Sequence, residues 1–236
     1  MTATSIENRL AAVDTLLFDL DGTVLDTFEL IYRSFHQALR ELLQVELPLE
    51  SFRAVFGLPL RDQVKEYTRD PALTDQLVNR YRALYMFHHD DYMAAYPGAL
   101  EALVEFHRRG YTLGVVTSKN PDTTLRALEQ YKLQGLMAVV LDVSSTQRHK
   151  PHPEPILEAL RRLDKSPEQV AMVGDSRGDV QSALAAGVLA VGVTWGPIGA
   201  QQVRDYGAEL LVSSFEELLA CFPGPGGGQR GTSTSR

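Results

Sequence analysis

A chain of 236 residues, 44% of them apolar, is long enough for one large domain or two modest ones around a sizeable core. Its formal net charge of -7 argues against a surface built for nucleic acid or another polyanion. The single cysteine, Cys221, excludes an internal disulfide and fits a reducing compartment.

In chain order, residues 1–12 read as a frayed lead-in, and an apolar run at 15–20 follows as the first strand. Asp19 and Asp21 interrupt that run, so it is expected to be neither a leader nor a membrane span, which points to the cytoplasm. Residues 28–95 then lack a convincing strand and show helical patterns at 29–43, 51–56, 61–68 and 74–88. Apolar, β-branched runs return at 112–117, 137–141, 170–173 and 189–194, with a weaker one at 209–212. They are nearly continuous rather than alternating, as strands covered on both faces must be. Helical patterns at 99–109, 122–131, 154–163 and 179–186 lie between them, the last stopped by Gly187. The alternation predicts a doubly wound α/β domain with a parallel sheet, into which a helical second domain is inserted. The expected limits are 1–27 and 96–221 for the core and 28–95 for the insert, with linkers near 26–29 and 94–98. Residues 222–236, rich in glycine, proline and serine, read as a disordered tail.

Ligands of open α/β sheets bind beyond the carboxyl ends of the strands, so the polar residues closing each strand carry the chemistry. Here they are Asp19-Leu20-Asp21-Gly22-Thr23, Thr117-Ser118-Lys119-Asn120, Lys150 in "RHKPHPEP", and Asp175 to Asp179 in "GDSRGD". Residues i and i+2 of a strand share a face, so Asp19 and Asp21 are expected in one site. With Asp175 and Asp179 they form an acidic cluster that would repel itself unless a hard divalent cation joined it; Mg2+ suits such oxygen ligands. The strand ends hold no histidine or cysteine cluster, which disfavours zinc. Lys150 and the Thr117 hydroxyl suit phosphate oxygens. One carboxylate is placed to attack phosphorus, and the other to protonate the leaving oxygen and then activate water.

"DLDGT", "VVTS", the lysine of "HKPHPEP" and "GDSRGD" resemble, in order, the four motifs of the haloacid dehalogenase-like phosphohydrolases. The resemblance implies a Rossmann-like parallel sheet core with an inserted helical cap domain. It implies Asp19 as nucleophile, Asp21 as acid–base and, through its backbone carbonyl, metal ligand. Thr117, Ser118, Lys150 and Gly22 would form the phosphate-binding set, with Asp175 as metal carboxylate and Asp179 as a ligand or the support of one. Within the family, "LFDLDGTVLDTFELI", "FGLPL", "YRALYMFHHD" and "GVTWGPIG" resemble the cytosolic pyrophosphatase branch, with phosphoglycolate phosphatases next. Asp21 stands where haloacid dehalogenases proper carry an aromatic residue, which argues against carbon–halogen chemistry. Ile31 replaces a histidine common in the family's sugar phosphomutases, and Lys65, the cap's single lysine, has nothing around it that suggests a Schiff base.

The expected function is therefore a Mg2+-dependent phosphohydrolase working through an aspartyl-phosphate on pyrophosphate, phosphoglycolate or another small phosphorylated metabolite. A sugar phosphomutase on the same core and a non-catalytic phosphate-ligand-binding regulator are the alternatives. No nucleic-acid or membrane partner is expected, and the chain would act as a monomer or dimer. Cap candidates for substrate specificity are Arg53, Gly57, Arg61, His88 and His89, each of which also suits an ordinary surface, loop or helix-end role. Trp195 is expected to pack or to wall the site.

Overall fold

The computed structural model describes residues 3–225. Helix α1 (Ala3–Ala12) leads into strand β1 (Thr15–Phe18). A two-residue strand β2 (Leu25–Asp26) precedes the helices α2 (Phe28–Leu43), α3 (Leu49–Val55), α4 (Leu60–Val64) and α5 (Pro71–Tyr92), and β3 (Ala94–Ala95) follows them. The chain then runs through α6 (Ala99–Arg108), β4 (Thr112–Val116), α7 (Pro121–Gln130), β5 (Met137–Leu141), α8 (Glu154–Leu163), β6 (Val170–Gly174), α9 (Arg177–Ala186) and β7 (Leu189–Val193). It closes with α10 (Ala200–Asp205), β8 (Leu210–Val212) and α11 (Phe215–Cys221).

The main sheet has six strands in the order β5-β4-β1-β6-β7-β8, and every pairing in it is parallel. A parallel sheet must be covered on both sides, and β1, β6 and β7 are accordingly buried at every position. Two apolar clusters lie on opposite faces: Leu16 and Phe18 belong to one, Leu17 to the other, as period-two geometry requires. Phe18 is level with both Val115 and Val173. That register brings the ends of the three central strands to one edge, and with them the segments that begin at Asp19, Thr117 and Asp175.

The α/β Rossmann-like architecture thus follows the expectation. Several local readings are corrected. The expected strand at 15–20 stops at Phe18, because the Leu20 carbonyl accepts from the amides of Thr23, Val24 and Leu25 and curls the chain into a turn. Residues 3–12 are a helix rather than a frayed lead-in, and Arg9 ties it down through an ion pair with Glu209 and a 3.2 Å bond to the Gly187 carbonyl. The helices α10 and α11, six and seven residues long, went unread. The expected tail begins with Phe222, which is fully buried against Phe106 and Tyr111, while Arg109 donates to the carbonyls of Leu219 and Phe222 at 2.6 and 2.8 Å. Residues 226–236 of that tail lie outside the described residues.

Helices α2 to α5 form the body inserted between β2 and β3. Its spine is the packing of α2 on α5, with Phe35 edge-on to Tyr81. Asp70 caps α5 by accepting from the Ala72 amide at 2.9 Å, and Pro71 opens that helix. Both connections to the core pass through β2 and β3, which pair antiparallel, Leu25 with Ala95 and Asp26 with Ala94. Among the described residues, no helix is long and apolar enough to cross a membrane.

Candidate active site

Asp19 leaves the end of β1 with its amide still in the sheet, donating to the Val173 carbonyl at 3.0 Å. Its carboxylate is buried, and Lys150 Nζ lies 3.1 Å from Oδ1. Lys150 arrives on the loop between β5 and α8. It donates to Asp179 Oδ1 at 2.5 Å and to the Val116 carbonyl at 2.9 Å. Those contacts fix an ammonium beside Asp19 that the surrounding apolar packing would otherwise disfavour.

Asp175 and Asp179 flank the start of α9. Ser176 is the N-cap of that helix: Asp179 Oδ2 accepts from the Ser176 amide at 3.0 Å and from its hydroxyl at 2.6 Å. Both Asp179 oxygens are thereby engaged, one by Lys150 and one by Ser176. Asp175 differs. Its Oδ1 accepts from the Thr23 hydroxyl at 3.1 Å, but its buried Oδ2 accepts no hydrogen bond, and neither does Asp19 Oδ1 despite the nearby ammonium. One carboxylate oxygen each from Asp19, Asp175 and Asp179 fall within 4.8 Å of one another.

Two glycines make room for this knot. Gly22 has φ +84°, and a Cβ there would sit 2.4 Å from Asp175 Oδ2. At Gly196 a Cβ would meet the Gly22 carbonyl at 2.6 Å. Trp195 packs rather than walling the cavity: its Nε1 donates to the Thr23 carbonyl at 2.8 Å, and its ring lies 4.6 Å from that of Phe215.

Three carboxylates beside one lysine leave an excess of negative charge in a dry place. Burial, opposed by Lys150, raises the Asp19 carboxyl to about 7. Burial, reinforced by Asp179 and Asp19, raises Asp175 well above the usual carboxylate range. For Lys150 burial acts to lower the ammonium's value, and Asp179 and Asp19 overcome it, so the net shift is upward and the charge is retained. The donor set is all oxygen, with an orphaned buried carboxylate oxygen, and it fits a hard divalent cation such as Mg2+.

Asp21 stands apart from the other carboxylates. Its Oδ1 accepts from the Thr27 hydroxyl and from Lys119 Nζ, each at 2.8 Å. Thr27 occupies the N-cap of α2, yet its hydroxyl makes no capping bond because it serves Asp21. The Asp21 side chain is not one of the three carboxylates that gather within 4.8 Å; Lys119 and Thr27 hold it at the cavity wall. Thr117 is buried and lines that cavity with Ser118, and the Thr117 hydroxyl accepts from the Lys119 amide at 3.3 Å.

The cavity has a volume of about 440 Å³ and lies between the sheet edge and the helical insert. The core contributes Asp19, Asp21, Thr117 and Lys119; the insert contributes Ile31, Phe56, Val78, Tyr81 and Tyr85 among others. Two of the expected cap residues, Gly57 and Arg61, line it. Gly57, at φ +85°, approaches Ser176 so closely that a Cβ would be 2.9 Å from the serine Cβ. Arg53, His88 and His89 do not line it. Arg53 instead crosses from insert to core, donating to the Pro197 carbonyl at 2.6 Å with its guanidinium over the Phe28 ring. His88 meets Gln37 of α2 at 3.2 Å, and His89 is fully buried with its ring against Tyr85. Lys119, Tyr85 and Thr27 are the site residues that sequence reasoning passed over. Lys119 stood in view within a strand-end segment, whereas Tyr85 was read as insert core by its helical spacing.

Comparison with known proteins gives a consistent picture. The sequence pattern of the haloacid dehalogenase-like hydrolases matches residues 16–193. Pyrophosphatase PpaX of Anoxybacillus flavithermus is 33% identical over 208 residues, covering 88% of this chain and 96% of that protein. Pyrophosphatase PpaX of Bacillus pumilus is 34% identical over 210 residues, covering 89% and 96%. Among solved structures, a haloacid dehalogenase-like family protein of Streptococcus pneumoniae superposes with a TM-score of 0.79 at 23% identity, covering 89% of this chain and 99% of that one, which speaks to the fold.

Proposed function

Because the chain belongs to the haloacid dehalogenase-like hydrolases, we propose that it is a Mg2+-dependent phosphohydrolase of the cytoplasm that uses Asp19 as its nucleophile. The carrying observation is the Asp19 carboxylate, held at the end of β1 between Lys150 and the acidic pair and open to the cavity. Asp19 and Asp175, with the backbone carbonyl of Asp21, would hold Mg2+; Asp179, occupied by Lys150 and Ser176, supports the site from behind. When bound, Mg2+ supplies charge neutralisation for the carboxylates and the phosphoryl oxygens.

The residues then divide the work. One Asp19 oxygen attacks phosphorus, forming an aspartyl-phosphate as the bond to the leaving oxygen breaks. Asp21, with its carboxyl fixed by Thr27 and Lys119, gives that oxygen a proton. It next takes a proton from the water that attacks the aspartyl-phosphate, restoring Asp19 and releasing phosphate. Lys150 and the Thr117 hydroxyl hold the phosphoryl oxygens, and the seated insert keeps bulk water out.

Pyrophosphate is the leading substrate, supported by the two PpaX relatives. Phosphoglycolate is the second reading. It is favoured by a cavity of about 440 Å³ with Ile31, Phe56 and Val78 on its wall, a size and lining that suit a small organic ligand. The test is a panel of pyrophosphate and phosphorylated metabolites ranked by kcat/KM with Mg2+ present, repeated on Asp19→Asn. The expected result is turnover by the parent and at least a 10³-fold loss in a variant that still unfolds cooperatively. Retained turnover in Asp19→Asn, or isomerised sugar phosphate in place of free phosphate, would overturn the proposal.

A further inference from the structure

Lys119 carries more than the mechanism has asked of it. An ammonium has three N–H donors. Two of the Lys119 donors are engaged, by Asp21 Oδ1 at 2.8 Å and by the Tyr85 hydroxyl, and no third acceptor lies within reach among the described residues. The residue is 7% exposed, yet it lines the cavity. One N–H of a buried ammonium that lines the cavity is thus left for an acceptor oxygen of a ligand.

The lysine is also held in place. Its amide donates to the Thr117 hydroxyl at 3.3 Å and its carbonyl accepts from the Val143 amide at 3.0 Å, while its ammonium lies 4.7 Å from the centre of the Tyr85 ring. It contacts Asp21, the proposed acid–base, whereas Lys150 contacts Asp19, the proposed nucleophile. Lys150 already serves the phosphoryl side. Arg82, which lines the same cavity, makes no ion pair among the described residues and extends the positive wall.

We infer that Lys119 is a specificity-determining residue that binds an anionic oxygen on the leaving portion of the substrate. The inference rests on the phosphohydrolase reading and narrows it. The substrate is a phosphoryl compound whose leaving group is itself an oxyanion, phosphate or carboxylate, and simple alkyl phosphates are poor substrates.

The experiment measures kcat/KM of the full chain with Mg2+ for pyrophosphate, phosphoglycolate and ethyl phosphate, the last carrying a methyl group where phosphoglycolate has its carboxylate. Parent, Lys119→Gln and Lys119→Arg are compared, and thermal melts with and without Mg2+ monitor folding. The parent is expected to prefer an anionic substrate over ethyl phosphate by about 30-fold or more, and Lys119→Gln to remove at least about tenfold of that preference. Lys119→Arg should recover part of it. The anionic substrate that loses more identifies phosphate or carboxylate as the bound group. An equal fractional loss on all three substrates would assign Lys119 to Asp21 alone and overturn the inference. Should Lys119→Gln fail to fold, the parent's ratio of phosphoglycolate or pyrophosphate to ethyl phosphate decides, and a ratio near one overturns it. A parent that hydrolyses ethyl phosphate as readily as the others sinks only the specificity claim, whereas a parent that hydrolyses none of the three sinks the phosphohydrolase reading itself.

Discussion

At the scale of single residues, the site is organised by which carboxylates are satisfied and which are not. Asp179 has both oxygens engaged, by Lys150 and the Ser176 cap, and Asp21 has one oxygen held by Lys119 and Thr27, while Asp175 keeps a bare buried oxygen. Burial holds the Asp175 carboxyl well above its ordinary range, so its charged form is disfavoured in the metal-free fold at every pH where the unfolded chain has already released the proton. Asp175→Asn keeps an acceptor for Thr23 and removes that charge. At pH 8 the metal-free variant should melt roughly 2–4 °C higher than its parent, while the rise that Mg2+ gives the parent disappears. The Asp19 carboxyl, raised to about 7 first by burial, gives the matching pH dependence. Between the unfolded value near 4 and about 7 the fold keeps a proton that the unfolded chain has lost, so metal-free stability falls as pH rises through that window and levels off above it. Melts of EDTA-treated parent and Asp19→Asn from pH 5 to 8 check this, since the parent's deficit should widen with pH. The positions of Asp19, Asp175 and Lys150 could be read in advance because strand ends in a parallel sheet converge. The partnership of Lys119 with Tyr85 could not, since it joins residues 34 apart through packing between two bodies.

At the scale of elements, the strands were the legible part. Their near-continuous apolar runs follow from burial on both faces, and β5 and α8 have the bounds their sequence patterns set. Some short elements were opaque: α10, α11 and the β2–β3 pair were not read, although the equally short α3 and α4 were. The end of α11 shows this well. Phe222 follows a helix of seven residues and precedes a glycine- and proline-rich stretch, so composition marks it as tail; the pocket made by Phe106 and Tyr111 makes it core. Phe222→Ala should cost about 3 kcal/mol and lower Tm by roughly 6–12 °C. Thermal unfolding measures that loss, and kcat at 25 °C should stay near the parent's, because the residue packs on α6 and not on the cavity.

At the scale of the molecule, contacts between the core and the insert around the cavity include Arg53 on the Pro197 carbonyl, Gly57 over Ser176, and Tyr85 on Lys119. Each joins an insert residue to a loop at the sheet's carboxyl edge. A cation bound under that lid favours the folded state by mass action, because the unfolded chain has no comparable cluster. At a hundredfold excess over its Kd, Mg2+ should add about 2.7 kcal/mol of stability, seen as a rise in Tm. EDTA should abolish both the rise and phosphate release, and added Mg2+ should restore the two together. A Tm that ignores Mg2+ would separate this acidic cluster from cation binding.

The antiparallel β2–β3 pair has a consequence for how such an enzyme diversifies. Since the outgoing and returning chain run side by side, Leu25 against Ala95 and Asp26 against Ala94, the seam between the two bodies is a single narrow ribbon. An exchange at that ribbon would splice in a foreign helical module without breaking one rung of the six-stranded sheet. Grafting there would exchange the insert's share of the cavity wall, Ile31, Phe56, Val78, Tyr81 and Tyr85, and leave the strand-end carboxylates where they are.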